Sequence, residues 1–179
     1  IHIDFSDITY NSTEGLKDKI RNNLLFIAGV YGVILPDFYD YDEAFKFLII
    51  ELAKREKVVV LIDEYDSLLN SNINNENIEG IREVLRGFYS VLKASSANIR
   101  FCFITGVTKF SKMSIFSSMN NLVDISMSDE YSTMLGYTQE ELEENFSEYI
   151  EKAVKDNKKN REEYLAQIKR WYDGYKFSA

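Results

Sequence analysis

Lys57-Val58-Val59-Val60-Leu61-Ile62-Asp63-Glu64-Tyr65-Asp66 is the stretch on which the reading of this chain turns. Its apolar core is almost wholly β-branched, which predicts a strand over Val58–Ile62. An unbroken apolar run of this kind predicts burial on both faces of a parallel sheet. Two carboxylates, Asp63 and Glu64, follow at the carboxyl end of that strand, where open α/β sheets place their ligands.

Outward from this strand, the pattern alternates between strand and helix. Ile1-His2-Ile3-Asp4-Phe5 alternates apolar and polar residues and stops at Ser6-Asp7, as a short strand does. Leu16, Ile20, Leu24, Ile27 and Tyr31 recur at helical spacing, with Asn11-x-x-Glu14 as the expected start. Pro36 punctuates the connection, and Asp40-x-x-Glu43 opens a second helix through Phe45, Leu48 and Leu52. After the Val58–Ile62 strand, the asparagine-dense 70–77 segment reads as a loop. Ile78, Ile81, Leu85, Phe88 and Leu92 then define a helix, and Ile99–Thr105 a second buried strand. Leu122–Met127 is expected as a third strand. Thr138-x-x-Glu141 is a capping box whose helix is expected to continue through Leu142, Phe146, Tyr149 and Ala153. A last helix is expected from Asn160 to Trp171. The fold class expected is α/β, a mainly parallel sheet flanked by helices, with residues 1–130 as the core and 131–179 as a helical appendage.

Composition narrows the function classes. The 179 residues are 45% hydrophobic and 14% aromatic, enough to build a core. A formal charge of −8 argues against nucleic-acid binding by this segment, which needs concentrated Lys and Arg. The single cysteine, Cys102, lies in an apolar run and reads as a core residue. One cysteine permits no intramolecular disulfide and suits a reducing cytoplasmic location. No apolar stretch is long enough for a membrane span. Asn11-Ser12-Thr13 and Asn145-Phe146-Ser147 match the glycosylation sequon and, with no secretory leader at hand, are expected to be chance. Ile1 enters a strand-like segment directly, so the chain is expected to be a fragment of a longer protein.

Three constellations carry candidate chemistry. Asp63 and Glu64 have the form of a Walker B segment: an acidic residue that holds Mg²⁺ through water, then a second that orients or deprotonates a water. Acidic residues at a strand end also serve simply to cap the next turn, and Asp66 is read first as an N-cap for the 67–70 turn and second as a supporting partner of the Asp63–Glu64 pair. The second constellation is Thr105-Gly106-Val107-Thr108-Lys109-Phe110-Ser111-Lys112. Thr105 is expected on the same sheet edge as Asp63, and Gly106 permits a sharp departure. Lys109 and Lys112, the nearest cations, are read first as part of a solvated loop and second as cofactor-binding, Lys109 above all. The third, Trp171 to Phe177, reads as a packed aromatic corner around Asp173-Gly174 in preference to a base-stacking surface. With His2 as the single histidine, no zinc site and no Ser-His-Asp or Cys-His constellation can be assembled. The chain contains no G-x-x-x-x-G-K-[ST] phosphate loop.

Taken in order, these segments resemble the AAA-ATPase-like family of microbial proteins, P-loop NTPase relatives often joined to a PD-(D/E)xK nuclease-like domain. The resemblance rests on Val60-Leu61-Ile62-Asp63-Glu64-Tyr65-Asp66 and Phe103-Ile104-Thr105-Gly106-Val107-Thr108-Lys109-Phe110-Ser111. It continues through Ser114-Ile115-Phe116-Ser117 with Asn120-Asn121-Leu122, Leu135-Gly136-Tyr137-Thr138 with Glu140-Glu141, and Trp171-Tyr172-Asp173-Gly174-Tyr175. It implies an ASCE-type P-loop core with Asp63 and Glu64 as Walker B acids, Thr105 at the sensor position, and ATP and Mg²⁺ as ligands of the intact parent. It also implies a strand and phosphate loop ahead of Ile1, so the 179 residues alone are expected to bind ATP weakly and not to turn it over.

The alternative expectation is a degenerate nucleotide fold that acts as a protein-interaction scaffold in a defence or regulatory protein. In an ASCE-type core, as the resemblance implies, the absent strand would lie between Ile99–Thr105 and Leu122–Met127. The Ile99–Ile104 edge is therefore expected either to pair with another chain or to draw Leu122–Met127 into the gap.

Overall fold

The computed structural model describes residues 1–10, 12–74, 76–108, 121–158 and 160–172. These fall into two compact units, Ile1–Leu122 and Val123–Ala179.

The first unit is an α/β layer. Three parallel strands, β1 (His2–Asp4), β2 (Val58–Asp63) and β3 (Ile99–Ile104), stand in the order β1-β2-β3. Helices α1 (Thr13–Val30) and α2 (Tyr41–Ala53) connect β1 to β2, and the short α3 (Ser67–Asn70) and long α4 (Ile78–Ala94) connect β2 to β3. The strand order never reverses, and crossovers of one hand then place their helices on one side of a sheet. The contacts agree: α1, α2 and α4 pack on one another.

The local signals are legible. Asp40 and Glu43 form a reciprocal capping box at the start of α2. At α1 the cap is Ser12, whose hydroxyl accepts from the Gly15 amide at 3.0 Å, one residue beyond the Asn11 expected from spacing. Leu16, Ile20, Leu24 and Ile27 of α1 face inward, as do Ile81, Leu85, Phe88 and Leu92 of α4. Tyr31, expected on that stripe, follows the end of α1 and is exposed. Where the helices meet, Phe45 stacks on Phe88 with ring centroids 4.5 Å apart, and Phe5 meets Phe88 edge-on at 5.3 Å. Such pairs contribute about 1 kcal/mol each beyond the area they bury.

Two expectations about the sheet are corrected. The β2 strand is buried on one face, not both: Val58, Val60 and Ile62 point into the core, while Val59 and Leu61 are 40% and 39% exposed. With the helices gathered on one side, every second residue of the apolar run faces outward. Phe101 and Phe103 of β3 stack on that open face, in register with Val59 and Leu61. Secondly, Leu122–Met127 is not a strand. The Ser126 amide bonds the Asp124 carboxylate at 3.0 Å, a local turn that bends the chain where a ladder would need it straight. The far edge of β3 therefore has no partner strand among the described residues.

The second unit is helical: α5 (Gln139–Asn145), α6 (Ser147–Asn157) and α7 (Arg161–Tyr172). Thr138 and Glu141 form the expected capping box. The single helix expected through Ala153 breaks at Phe146 into α5 and α6. Arg161 ties the three together, bonding Glu143 at 2.5 Å and Glu151 at 3.0 Å. No helix among the described residues is long and apolar enough to cross a membrane.

Candidate functional site

Parallel strands end together, so their carboxyl ends form one rim. Asp4 and Asp63 are register partners across β1 and β2, with backbones about 4.8 Å apart. Beyond β3, the Thr105 amide donates to the Ile62 carbonyl at 2.9 Å and the Tyr65 amide to the Thr105 carbonyl at 2.9 Å. These two bonds bring the segments after β2 and β3 alongside one another. Thr105 Oγ1 donates to Asp63 Oδ1, which also accepts from the Glu64 amide at 3.1 Å. Three residues singled out in the sequence thus adjoin: Asp63 and Thr105 meet through their side chains, and Glu64 joins them through its backbone amide. Lys109, the candidate phosphate-side cation, lies outside the described residues, as does Lys112.

Glu64 leaves the strand in the left-handed region, φ 49°. A side chain other than glycine is strained there, by about 1–2 kcal/mol. The neighbouring bonds hold it: Tyr65 is tied to Thr105, and the Ser67 amide donates to the Glu64 carbonyl at 2.9 Å. The Glu64 side chain is exposed.

Asp66 stands at the N-cap position of α3 but makes no capping bond. It is fully buried, and its carboxylate reaches the other segment: it accepts from the Val107 amide at 3.2 Å, the Thr108 amide at 2.5 Å and Asn70 Nδ2 at 2.8 Å. Burial alone would raise its pKa, but hydrogen bonds from Thr108, Asn70 and Val107 outweigh it and hold the carboxyl below its ordinary value. Gly106 is required by close approach, since a Cβ there would lie 2.5 Å from Asp66 Oδ1 and overlap the Tyr65 ring.

Residues 1–116 match the model of a family described as predicted AAA-ATPase, AAA-ATPase-like. The chain belongs to this family. The AAA-ATPase-like chain is also 40% identical over 124 residues to an uncharacterized protein in the vnfD 5′ region of Azotobacter chroococcum mcd 1. That stretch covers 69% of the chain and 22% of the relative, so the chain spans under a quarter of the protein it matches. No solved structure matches.

The donor set suits a hard cation. Asp63, Glu64 and Thr105 offer only oxygen, and Mg²⁺ is commonly bound by one or two carboxylates, with water and phosphate completing the shell. Among the described residues no group of three or more His, Cys, Asp and Glu forms an all-protein metal cage. Sequence reasoning missed Asp4 as a member of the rim, although the alternation of residues 1–5 already put it at a strand end. It gave Asp66 the wrong bond, because the distant Val107 and Thr108 amides carry no mark in the sequence. Of the aromatic close, Trp171 and Tyr172 are 75% and 80% exposed, so these two are not packed in a corner, and residues 173–177 lie outside the described residues.

Proposed function

We propose that this chain supplies the acidic and sensing half of a Mg²⁺-dependent ATP site in an ATP-hydrolysing protein. The observation that carries it is the meeting of Asp63, Glu64 and Thr105 on the rim of a parallel sheet, in a member of the predicted AAA-ATPase family. Sheet topology supports the same location. Open α/β sheets bind ligands at the carboxyl ends of strands where the strand order reverses. The order β1-β2-β3 contains no reversal, and β1 and β3 each have an outer edge without a partner among the described strands; in this reading the switch point is the one beyond β3, beside Thr105.

In this reading Asp63 is the magnesium ligand, its Oδ1 oriented by Thr105 and by the Glu64 amide. Bound Mg²⁺ would neutralise phosphate charge. Glu64 orients the attacking water and takes its proton, a role typically contributing about 10²–10⁴ in rate. Its left-handed backbone turns the side chain away from the strand direction and out to solvent. Thr105, bonded to Asp63 and next to the rim, reports whether the terminal phosphate is in place. The phosphate loop belongs to the full-length protein in this proposal.

The test uses that full-length protein. Glu64→Gln is expected to abolish ATP turnover and leave ATP binding within about twofold, while Asp63→Ala weakens the magnesium-dependent part of binding. Turnover at the parental rate by Glu64→Gln would remove Glu64 from the mechanism.

A further inference from the structure

The residues after β3 are held more firmly than an exposed turn requires. Every residue from 105 to 108 is fixed by the Tyr65-Asp66 pair or by Ile62. Thr105 is bonded through its amide to Ile62 and through its carbonyl to Tyr65. Gly106 lies against the Tyr65 ring and Asp66. Val107 and Thr108 donate their amides to Asp66, and Tyr65 donates its hydroxyl to the Thr108 carbonyl. Thr108 Oγ1 adds a bond to Asn70 Oδ1 at 3.1 Å, and Tyr89, buried in α4, donates to the Tyr65 carbonyl at 3.3 Å. Among the described residues Asp66 is held by hydrogen-bond donors and not by a cation. Its charge is satisfied by the amides of one short segment and by Asn70.

Thr105 stands at the head of this segment, and its hydroxyl donates to Asp63 Oδ1. Shifting the segment would break that bond and let the Asp63 carboxylate rotate. We propose that Asp66 is a positioning residue for the magnesium ligand. By clamping the Val107 and Thr108 amides it fixes Thr105, and Thr105 in turn orients Asp63. This rests on the reading of Asp63 as the ligand. Groups that orient a metal ligand through a hydrogen bond commonly carry about 10–100-fold in metal affinity or activity.

The experiment is a double-mutant cycle on the full-length protein, read out both as the Mg²⁺ concentration at half-saturation in calorimetric titration with ATP present and as that giving half-maximal ATP hydrolysis. Asp66→Asn and Thr105→Val are each expected to raise both concentrations about tenfold, and the double variant to match Thr105→Val alone, because both act through one bond. A purely architectural Asp66 would instead lower the maximal rate or thermal stability at unchanged Mg²⁺ dependence, or multiply with Thr105→Val. Either result overturns the proposal. Should Asp66→Asn fail to fold, Gly106→Ala displaces the segment without altering the carboxylate. It is expected to reproduce the Mg²⁺ shift, and wild-type Mg²⁺ dependence in that variant overturns the proposal equally. An unmutated protein that hydrolyses no ATP at any Mg²⁺ concentration overturns the ATPase reading itself, an outcome distinct from a failed cycle.

Discussion

Glu64 occupies a backbone conformation that glycine would adopt at lower cost. At φ 49° its Cβ crowds the backbone, and the strain persists because the bonds to Thr105 and Ser67 hold the turn in place. Strain of this kind is expected where a side chain is needed for chemistry that glycine cannot perform. Glu64→Gly is therefore expected to stabilise the 179-residue chain by about 1 kcal/mol in urea unfolding and to abolish hydrolysis in the full-length protein. Glu64→Gln keeps the strain and should lose hydrolysis with no gain in stability. A destabilised Glu64→Gly would show that the turn is not strained. Asp63 and Glu64 were legible in the sequence because they end an apolar run, but the left-handed turn was not. Nothing in Asp-Glu-Tyr predicts φ > 0, which is set by bonds to a segment some forty residues further on.

Among the elements, the contact between α2 and α4 has the most specific chemistry. Tyr41, in the first turn of α2, buries its ring and donates its hydroxyl to the Val84 carbonyl at 3.1 Å. It does so over Gly87, where a Cβ would fall on the hydroxyl itself. Burial, with smaller contributions from Asp42, Asp40 and Glu14, pushes the phenol up to about 12. An unfolded tyrosine ionises near 10. Between these values the unfolded chain releases a proton that the folded chain keeps, so stability falls as pH rises from about 10 to 12. Tyr41→Phe should make that decline shallower, leaving the part due to buried Tyr89, whose phenol is also raised by burial. At neutral pH it should cost about 1 kcal/mol for the lost hydrogen bond. Gly87→Ala should cost about 1–3 kcal/mol by overpacking. Denaturant melts across the alkaline range check all three. The amphipathic stripes of α1, α2 and α4 were readable from spacing alone. The Tyr41–Gly87 fit was not, since it depends on how two helices cross.

At the scale of the whole molecule, the notable feature is what the sheet leaves open. Val59, Leu61 and Phe101 are substantially exposed on one face, and the outer edge of β3 is unpaired among the described residues. Arg100 is the only charge on β3, and it pairs with Glu56 at 3.1 Å. The register with β2 slips at Arg100, near the start of β3, but the run Phe101–Ile104 beyond it holds neither a further charge nor a proline to blunt the edge against another chain. Leu122–Met127 does not fill the gap, which removes one of the two outcomes expected from sequence. The 179-residue chain is accordingly expected to self-associate through β3, with sedimentation velocity showing a mass that rises with concentration. Phe101→Lys, which puts a charge on the exposed face beside the edge, should return it to monomer. A monomer at every concentration up to about 100 µM, weaker than about −5.5 kcal/mol for dimerisation, would count against pairing at this edge.

The sequence by itself determined the α/β alternation, the helix caps at Asp40 and Thr138, the inward stripes, and the acidic pair at the end of β2. These are local signals: periodicity, capping chemistry and strand-end position are written within a few residues of where they act. Only the tertiary structure decided that β2 is covered on one face, that Asp66 binds the Val107 and Thr108 amides instead of capping the start of α3, and that Asp4 stands beside Asp63. Each depends on which strands are neighbours and on which side their crossovers pass. An apolar run reads the same whether one face or both are covered, and a carboxylate reads the same whether its amide partner is two residues away or forty.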